Sequence, residues 1–377
     1  METLLYLSMR LLKAFDNRRT DVGHLKPDAV RNILIVSSTA VGDTLLSTPA
    51  IRAVRKSYPK ARIIALFNAA NMELFANNPN IDAIIPYYGG YRRFFSTIRK
   101  VRAYSPDLAL ILHGNEPQAT PMSYLAGASF ILKLPNVSPF AFLLSNRPPL
   151  QTCEGRNGAA AWKDVPHGIE ARLKTAGLAL CKADGLKMDI FTDECDEAAA
   201  NGFLKEAGVK DGDVIIGFQP GASTLSRQWF PERFIELGKR LRENSRRVHI
   251  VLTGSPAERR MCEDIAEGIG GREIVAAGRL PLRQVAPLIK RFNVFVTGDT
   301  GPMHIAFAVG TPVVALFAVS DPRVTGPLYD AHRHRVIKKP RTCDPCVSKK
   351  CAYQKCMEAI TVDEVCEAVR YITGITR

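Results

Sequence analysis

The chain has 377 residues, of which 46% are hydrophobic and 23% charged. This composition is typical of a soluble globular protein, and the length exceeds what one core usually supports, so two domains are expected. A formal net charge of +14 indicates an anionic partner such as a nucleotide, a phosphorylated glycolipid or a membrane surface. The nine cysteines are unevenly spaced, which argues against a secreted disulfide scaffold and favours a reducing, cytoplasmic setting.

The first 20 residues mix apolar and basic side chains. They lack the basic start and the cleavage site of a signal peptide, and they are too short and too charged to span a bilayer. Two interpretations stay open: a basic amphipathic helix lying on a membrane surface, or a helix packed on the body of the protein. Residues 1–30 are therefore set apart as an N-terminal amphipathic segment.

Residues 31–190 alternate apolar strands with helices, which predicts a parallel sheet covered by helices on both faces. The first strand, 32–37, is apolar enough to be buried on both faces, and the turn 38–43 leads into a helix over 44–57. Residues 135–190 are rich in proline, glycine and polar residues, which indicates loops. The remaining predicted elements are strands 62–67, 83–86 and 108–113 and helices 91–104 and 167–180.

The pattern restarts in residues 191–360, which predicts a second domain of similar size. A helix that begins at Thr361, with a capping box to Glu364, forms the last segment, 361–377. The other predicted helices are 196–207, 231–243, 258–267 and 282–291, and the strands are 214–218, 249–253, 293–297 and 311–317.

The turn after strand 293–297 reads Gly298-Asp299-Thr300-Gly301. Pro302 suits the first helical position, and Gly310 suits the end of that helix. The N–H groups and the dipole at the start of such a helix can bind a phosphate or another anion. Asp299 stands where open α/β sheets bind ligands. An ordinary turn with Asp299 as the helix N-cap is the alternative.

Several familiar nucleotide and catalytic motifs do not occur. There is no P-loop, and the turn after the first strand contains only Gly42, so the dinucleotide fingerprint is missing. This weighs against a nicotinamide-dependent dehydrogenase. Neither an H-E-x-x-H motif nor a nucleophile elbow is present.

Four segments, in this order along the chain, carry a family signature: AVGDTLLSTPAIRAVRKSYP at 40–59, PGASTLSRQW at 220–229, TGDTGPMHIA at 297–306 and SDPRVTGP at 320–327. Together they resemble glycosyltransferase family 9, the lipopolysaccharide heptosyltransferases, over about residues 31–373. The resemblance implies an α/β fold of the GT-B type, with two Rossmann-like domains facing a central cleft. It also implies an acceptor-side domain first, a donor-binding domain second, and a C-terminal helix that crosses back to the first.

The same resemblance implies an inverting transfer of heptose from ADP-heptose to a lipid A-linked core, without metal or cofactor. Such a displacement needs a base for the acceptor hydroxyl and positive charge or N–H dipoles at the departing diphosphate. Asp43 matches the family's base, although it could instead be a helix N-cap, and Arg227 matches the basic position at the diphosphate. The other donor-site residues implied are Ser223, Thr224, Asp299, Thr300, Gly301, Met303 and His304.

A basic stretch in the first domain contains Arg92, Arg93 and Arg99 with interleaved aromatics. The resemblance suggests that these arginines bind the phosphates of the glycolipid acceptor. A solvated helix face is the plainer interpretation, and binding of a nucleic acid is disfavoured because no recognition motif accompanies the stretch.

Four cysteines, Cys343, Cys346, Cys351 and Cys356, have a spacing that could hold zinc or iron. Free thiols or a disulfide are the alternatives, and the family does not need these cysteines for catalysis. The expectation is thus a cytoplasmic glycosyltransferase, peripheral on the inner face of the inner membrane. The rivals are a transferase using another nucleotide sugar and a non-catalytic nucleotide-sugar or membrane-binding protein of the same fold.

Overall fold

A computed structural model describes residues 2–17, 20–91, 93–114, 117–135, 139–146, 166–243, 247–343, 346, 351 and 353–375. The chain divides into two compact units, Met1–Met188 and Asp189–Arg377. The division thus lies close to the limit at residue 190 expected from the sequence. Across those described ranges, no helix combines the length and the apolar composition needed to cross a bilayer.

The first unit is built on a parallel sheet whose strands are buried because their residues are almost entirely apolar. The strands are β1 (Asn32–Ser37), β2 (Arg62–Asn68), β3 (Ala83–Tyr87), β4 (Leu108–His113) and β5 (Phe130–Lys133). Their order is β3-β2-β1-β4-β5. β2 and β3 follow β1 on one side of the sheet, and the chain then crosses over so that β4 and β5 lie on the other side of β1. The carboxyl ends of β1 and β4 therefore flank a topological switch point, where such sheets bind ligands.

The helices of the first unit differ from prediction at residues 44–57, and the helix at 119–125 was not predicted. They are α1 (Glu2–Ala14), α2 (Val41–Leu45), α3 (Thr48–Ser57), α4 (Phe94–Arg102), α5 (Ala119–Leu125) and α6 (Gly168–Gly177). The single helix predicted over 44–57 is wrong, because the chain forms α2 and α3 there. Pro49 has no N–H to bond Leu45, which disfavours a continuous helix, and the Thr48 hydroxyl donates to the Leu45 carbonyl instead, at 2.8 Å.

Helix α1 presents one face to the protein and another to solvent. Met9 is only 2% exposed and joins the core of the first unit, and the Tyr6 ring lies 5.6 Å from that of Phe142. The opposite face consists of large apolar side chains that are mostly exposed. They are Leu4 at 70%, Leu7 at 59%, Leu11 at 63% and Phe15 at 79%.

The second unit repeats the same winding with six parallel strands. They are β6 (Val214–Gln219), β7 (Val248–Leu252), β8 (Ile274–Val275), β9 (Val294–Gly298), β10 (Val313–Phe317) and β11 (Arg335–Lys338). Their order, β11-β10-β9-β6-β7-β8, puts the switch point between β6 and β9. The helices are α7 (Glu194–Glu206), α8 (Pro231–Arg242), α9 (Arg259–Ile269), α10 (Leu282–Lys290), α11 (Gly301–Val309), α12 (Pro322–Thr325) and α13 (Val362–Thr373).

The C-terminal helix α13 belongs to the core of the second unit. Val365 and Val369 are fully buried in the cluster that contains Trp229. The indole N–H of Trp229 donates to the carbonyl of Ile360, just before α13, at 3.0 Å. The apolar stripe of α13 thus packs within the second unit, and the predicted crossing of this helix to the first domain stays a prediction.

Candidate active site

Asp43 lies just beyond the carboxyl end of β1, in the first turn of α2. The N-cap of α2 is Ala40, so the alternative of Asp43 as the N-cap of a helix beginning at Thr44 is wrong. Its side chain is 31% exposed, which leaves the carboxylate open to solvent at the switch point of the first sheet.

Donors from three parts of the first unit surround the Asp43 carboxylate. The Thr39 hydroxyl donates to Oδ2 at 3.0 Å. Arg172 Nη2 donates to Oδ1 at 3.2 Å, and His113 Nε2 lies 3.2 Å from the same oxygen. We identified neither Arg172 nor His113 as a functional residue from the sequence.

Strand pairing explains how His113 reaches Asp43. β1 and β4 are neighbours, and Ser37 at the end of β1 is in register with His113 at the end of β4. A register shift between Val36 and Ser37 accompanies this pairing, and such irregularities commonly redirect side chains beside active sites. The carboxyl edge of the sheet therefore collects Asp43 and His113 from distant parts of the chain.

Arg172 reaches the site from α6, where it occupies a buried position. Its Nε donates to the Ser47 hydroxyl at 3.0 Å and its Nη1 to the Gly168 carbonyl at 2.7 Å. Burial lowers the pKa of the Arg172 guanidinium to about 10, against the opposing effect of Asp43. Arg172 therefore still carries its positive charge at neutral pH.

The corresponding edge of the second sheet brings Arg227 to Asp299. Arg227 ends a short 3₁₀ turn in the loop after β6, and Asp299 follows β9, which pairs with β6. Arg227 Nη1 lies 3.3 Å from Asp299 Oδ2 and 3.4 Å from the Asp299 carbonyl oxygen. A Cβ at Gly298 would lie 2.5 Å from the Arg227 carbonyl oxygen, so only glycine allows this loop to approach the turn.

Asp299 is a buried carboxylate with a second partner. Its residue is 5% exposed, and the Thr325 hydroxyl donates to Oδ1 at 3.2 Å. Thr325 lies in the segment 320–327 that the sequence analysis singled out, but it was not named there as a site residue. The ion pair and the hydroxyl together hold Asp299 at the edge of the sheet.

Helix α11 begins at Gly301, one residue before the predicted first helical position at Pro302. Thr300 is the N-cap of α11, and its side chain accepts from the Met303 N–H at 3.4 Å, so Asp299 is not the N-cap. Gly310 ends the helix in the left-handed conformation, with φ 79°. Pro302 has no N–H and the Met303 N–H donates to Thr300, so Gly301 supplies the N–H that the first turn can offer an anion.

The other residues predicted to bind the donor sugar nucleotide differ in their exposure to solvent. Ser223 is exposed and Thr224 is half-buried on the loop after β6. His304 is buried in α11, where its ring meets that of Phe307 edge-on at 6.2 Å. The exposed Ser223 is thus available to a ligand, whereas the His304 ring belongs to the packing of the helix.

The basic residues of the first unit lie on an exposed helix face. The Arg93 guanidinium stacks over the Tyr88 ring at 3.8 Å, and Arg99 is exposed on α4. Arg92 lies outside the described residues. Exposed arginines of this kind can bind phosphates without any change in the fold.

The cysteine-rich segment does not form a metal centre in the part of the chain that the structure describes. No group of three or more histidine, cysteine, aspartate or glutamate side chains there could hold a metal ion. Cys343, Cys351 and Cys356 are free thiols, and the Thr342 N–H lies 3.3 Å from Cys356 Sγ. Free thiols were one of the alternatives left open by the sequence.

Known proteins resemble this chain in both sequence and fold. A family model described as glycosyltransferase family 9 (heptosyltransferase) matches residues 181–357. Lipopolysaccharide heptosyltransferase 3 of Escherichia coli is 27% identical over 295 residues, covering 74% of this chain and 81% of that relative. The resemblance to glycosyltransferase family 9 is confirmed. The predicted enzyme class is confirmed with it: this chain is a glycosyltransferase.

Solved structures confirm the GT-B fold class predicted for this glycosyltransferase. A family 9 glycosyltransferase from Veillonella parvula has a TM-score of 0.73 at 23% identity, covering 91% of this chain and 97% of that one. The ADP-heptose lipopolysaccharide heptosyltransferase II of E. coli has a TM-score of 0.71 at 24% identity, covering 91% and 98%.

Proposed function

We propose that this glycosyltransferase transfers a heptose from ADP-heptose to a lipopolysaccharide core linked to lipid A, with inversion at the anomeric carbon. One observation carries the proposal. The residues that match the heptosyltransferase family model, 181–357, contain the Arg227–Asp299 pair at the switch point of the second sheet. Two of the E. coli proteins named above are lipopolysaccharide heptosyltransferases, and the name of one of them includes ADP-heptose.

Asp43 is the general base in this proposal. The acceptor hydroxyl oxygen forms a bond to the anomeric carbon while the bond from that carbon to the diphosphate oxygen breaks. The hydroxyl proton passes to Asp43, and the electron pair of the broken bond leaves with ADP. A base positioned in this way contributes roughly 10²- to 10⁴-fold to such a step.

Arg227 and the first turn of α11 stabilise the charge that develops on the departing ADP. A guanidinium and backbone N–H groups can supply the stabilisation that a divalent cation provides in other transferases, so we propose that the reaction needs neither metal nor cofactor. Ser223, Thr224 and Thr300 add hydroxyl groups to the donor site, and Asp299 binds hydroxyl groups of the sugar.

We also propose a cytoplasmic enzyme that meets its glycolipid acceptor at the inner face of the inner membrane. The exposed stripe of α1, formed by Leu4, Leu7, Leu11 and Phe15, would enter the interface of an anionic bilayer. The net charge of +14 complements anionic lipids, which attract each nearby basic residue by about 1 kcal/mol. Arg93 and Arg99 would bind the phosphates of the acceptor.

A calorimetric screen of ADP-, UDP-, GDP- and CMP-sugars, followed by a transfer assay with a core acceptor, tests the proposal. We expect tight binding of ADP-heptose alone and release of ADP in the presence of the acceptor. Preferred binding of another nucleotide sugar would identify a different transferase. Binding of ADP-heptose without turnover on any core acceptor would favour the non-catalytic alternative.

A further inference from the structure

The Asp43 carboxylate is built into a network that its role as a base does not by itself require. Arg172 and His113 both approach Oδ1, each at 3.2 Å, while Thr39 donates to Oδ2 at 3.0 Å. These groups come from α6, from the end of β4 and from the turn after β1. A carboxylate that only capped a helix would need none of them.

Arg172 is the rigid member of this network. The residue is 6% exposed, and each nitrogen of its guanidinium has a partner in the first unit. Nε donates to Ser47 Oγ and Nη1 donates to the Gly168 carbonyl, which leaves Nη2 aimed at Asp43. The Ser47 hydroxyl donates in turn to the Asp43 carbonyl oxygen at 3.0 Å. The guanidinium therefore cannot turn away from Asp43 without breaking buried hydrogen bonds.

We propose that Arg172 and His113 are positioning residues of the transfer reaction, which orient the Asp43 carboxylate and keep it ionised until the acceptor hydroxyl arrives. This inference rests on the proposed role of Asp43 as the base. Oriented donors reduce the rotational freedom of the carboxylate, and a nearby positive charge favours its charged form. The 31% exposure of the Asp43 side chain still lets an acceptor hydroxyl reach it.

The dependence of kcat/KM on pH provides the measurement. The base must be deprotonated, so kcat/KM falls as the pH drops through the pKa of the base. An opposite charge within about 4–6 Å lowers the pKa of a carboxylate by roughly 1–3 units. Removing the charge in Arg172→Met should therefore move the acid limb of the profile to higher pH by about one unit or more.

His113 and Thr39 supply variants that disturb the core less. His113→Leu removes one of the two groups at Oδ1, the other being Arg172, and Thr39→Val removes the donor to Oδ2; each should lower kcat by about tenfold or more with little change in the KM for the donor sugar. His113→Gln keeps an N–H group and Thr39→Ser keeps the hydroxyl, so both should recover most of the loss. If Arg172→Met does not fold, the His113 pair decides the question.

The controls separate this inference from the proposed function. A wild-type enzyme that transfers no sugar, or an active Asp43→Asn variant, contradicts the function and the inference together. If Asp43→Asn is inactive while Arg172→Met keeps the wild-type acid limb and His113→Leu keeps the wild-type kcat, the inference alone is overturned. A loss of activity that is equal at all pH values, with a lower melting temperature and no recovery in the conservative variants, would also overturn it. An upward shift with recovery supports it.

Discussion

Arg227→Ala is the most informative single change in the donor site, because Arg227 has one partner in the structure and another in the proposed reaction. In the structure the guanidinium pairs with Asp299 at 3.3 Å. In the proposed reaction it binds the diphosphate of ADP-heptose. The substitution removes both interactions, so stability and affinity must be measured separately.

The expected loss of stability follows from the burial of Asp299. Removing one partner of a fully buried ion pair costs about 3–5 kcal/mol. The Arg227 side chain is 25% exposed, and Thr325 still donates to Asp299, so water and the hydroxyl offset part of this cost. We therefore expect the free energy of unfolding to fall by about 1–3 kcal/mol, the usual cost of a buried group left without its partner.

The expected loss of affinity follows from the lost phosphate contact. A hydrogen bond to a charged group contributes about 1.5–3 kcal/mol, or ten- to a hundredfold in Kd. ADP and ADP-heptose share the diphosphate, so calorimetry should show the same loss for both. The double variant Arg227→Ala/Asp299→Asn also removes the Asp299 charge that the single variant leaves without its ion-pair partner. It should therefore be more stable than Arg227→Ala but bind ADP just as weakly.

Arg260→Ala is the matched control. Arg260 pairs with Asp264 on the surface of α9 and is 81% exposed, so its removal should change stability by less than about 1 kcal/mol and leave the affinity for ADP unchanged. If Arg227→Ala binds ADP as tightly as the wild type, Arg227 does not contact the phosphates. If the double variant binds ADP normally, the loss in the single variant came from the unpaired Asp299.

Four further predictions test other parts of the molecule. Asp43→Asn should lower kcat by about 10²- to 10⁴-fold in a transfer assay and leave the Kd for ADP-heptose unchanged, because only the proton acceptor is lost; near wild-type turnover would contradict it. Activity should survive EDTA, since in the proposed reaction Arg227 and backbone N–H groups stabilise the diphosphate. A loss of activity in EDTA that Mg²⁺ or Mn²⁺ restores would contradict this prediction. Burial lowers the pKa of His334 from 6.5 to about 4, and the neutral ring accepts the Val313 N–H at Nδ1. The contribution of His334 to the free energy of unfolding is therefore full above pH 6.5 and is lost as the pH falls toward 4. Denaturation curves should show about 3 kcal/mol less stability at pH 4 than at pH 7 from this group, a dependence that His334→Asn, with a non-titrating acceptor, should lack. Leu7→Glu/Leu11→Glu should weaken cosedimentation with anionic vesicles, whereas Leu180→Glu/Tyr353→Glu, which adds the same charge at exposed positions outside α1, should not; equal binding of both variants would exclude the stripe as the membrane contact.

The sequence predicted the strand, turn and helix around Asp299 well because the signals for them are local. Glycine, proline and the apolar runs around Asp299 define strand, turn and helix within 20 residues, and Gly310 ends α11 as expected. The N-cap of α11 could also have been predicted, because threonine is a favoured N-cap residue and Thr300 directly precedes the helix. The short strands β5, β8 and β11 were missed because two to four residues are too few to show the pattern of a strand.

The surroundings of Asp43 were not predictable in the same way, since they depend on which strands become neighbours. Arg172 lies 129 positions from Asp43, and no sequence pattern around either residue indicates the contact. One signal was available: Arg172 shares the buried stripe of α6 with Ile169 and Ala176. An arginine at a core position needs a buried partner, and a carboxylate at the switch point is the partner that the sheet order supplies.

The N-terminal helix shows why two interpretations of one pattern need not exclude each other. The sequence offered a membrane helix or a packed helix, and α1 buries Met9 while it exposes Leu4, Leu7, Leu11 and Phe15. Deleting residues 1–20 would therefore remove both a part of the core and the exposed stripe, and lower stability together with vesicle binding whichever role matters. Glutamate substitutions at Leu7 and Leu11 leave Met9 and Tyr6 in place, so the folded first unit remains and only the exposed face changes. A variant that melts like the wild type but no longer binds anionic vesicles would assign the stripe to the membrane.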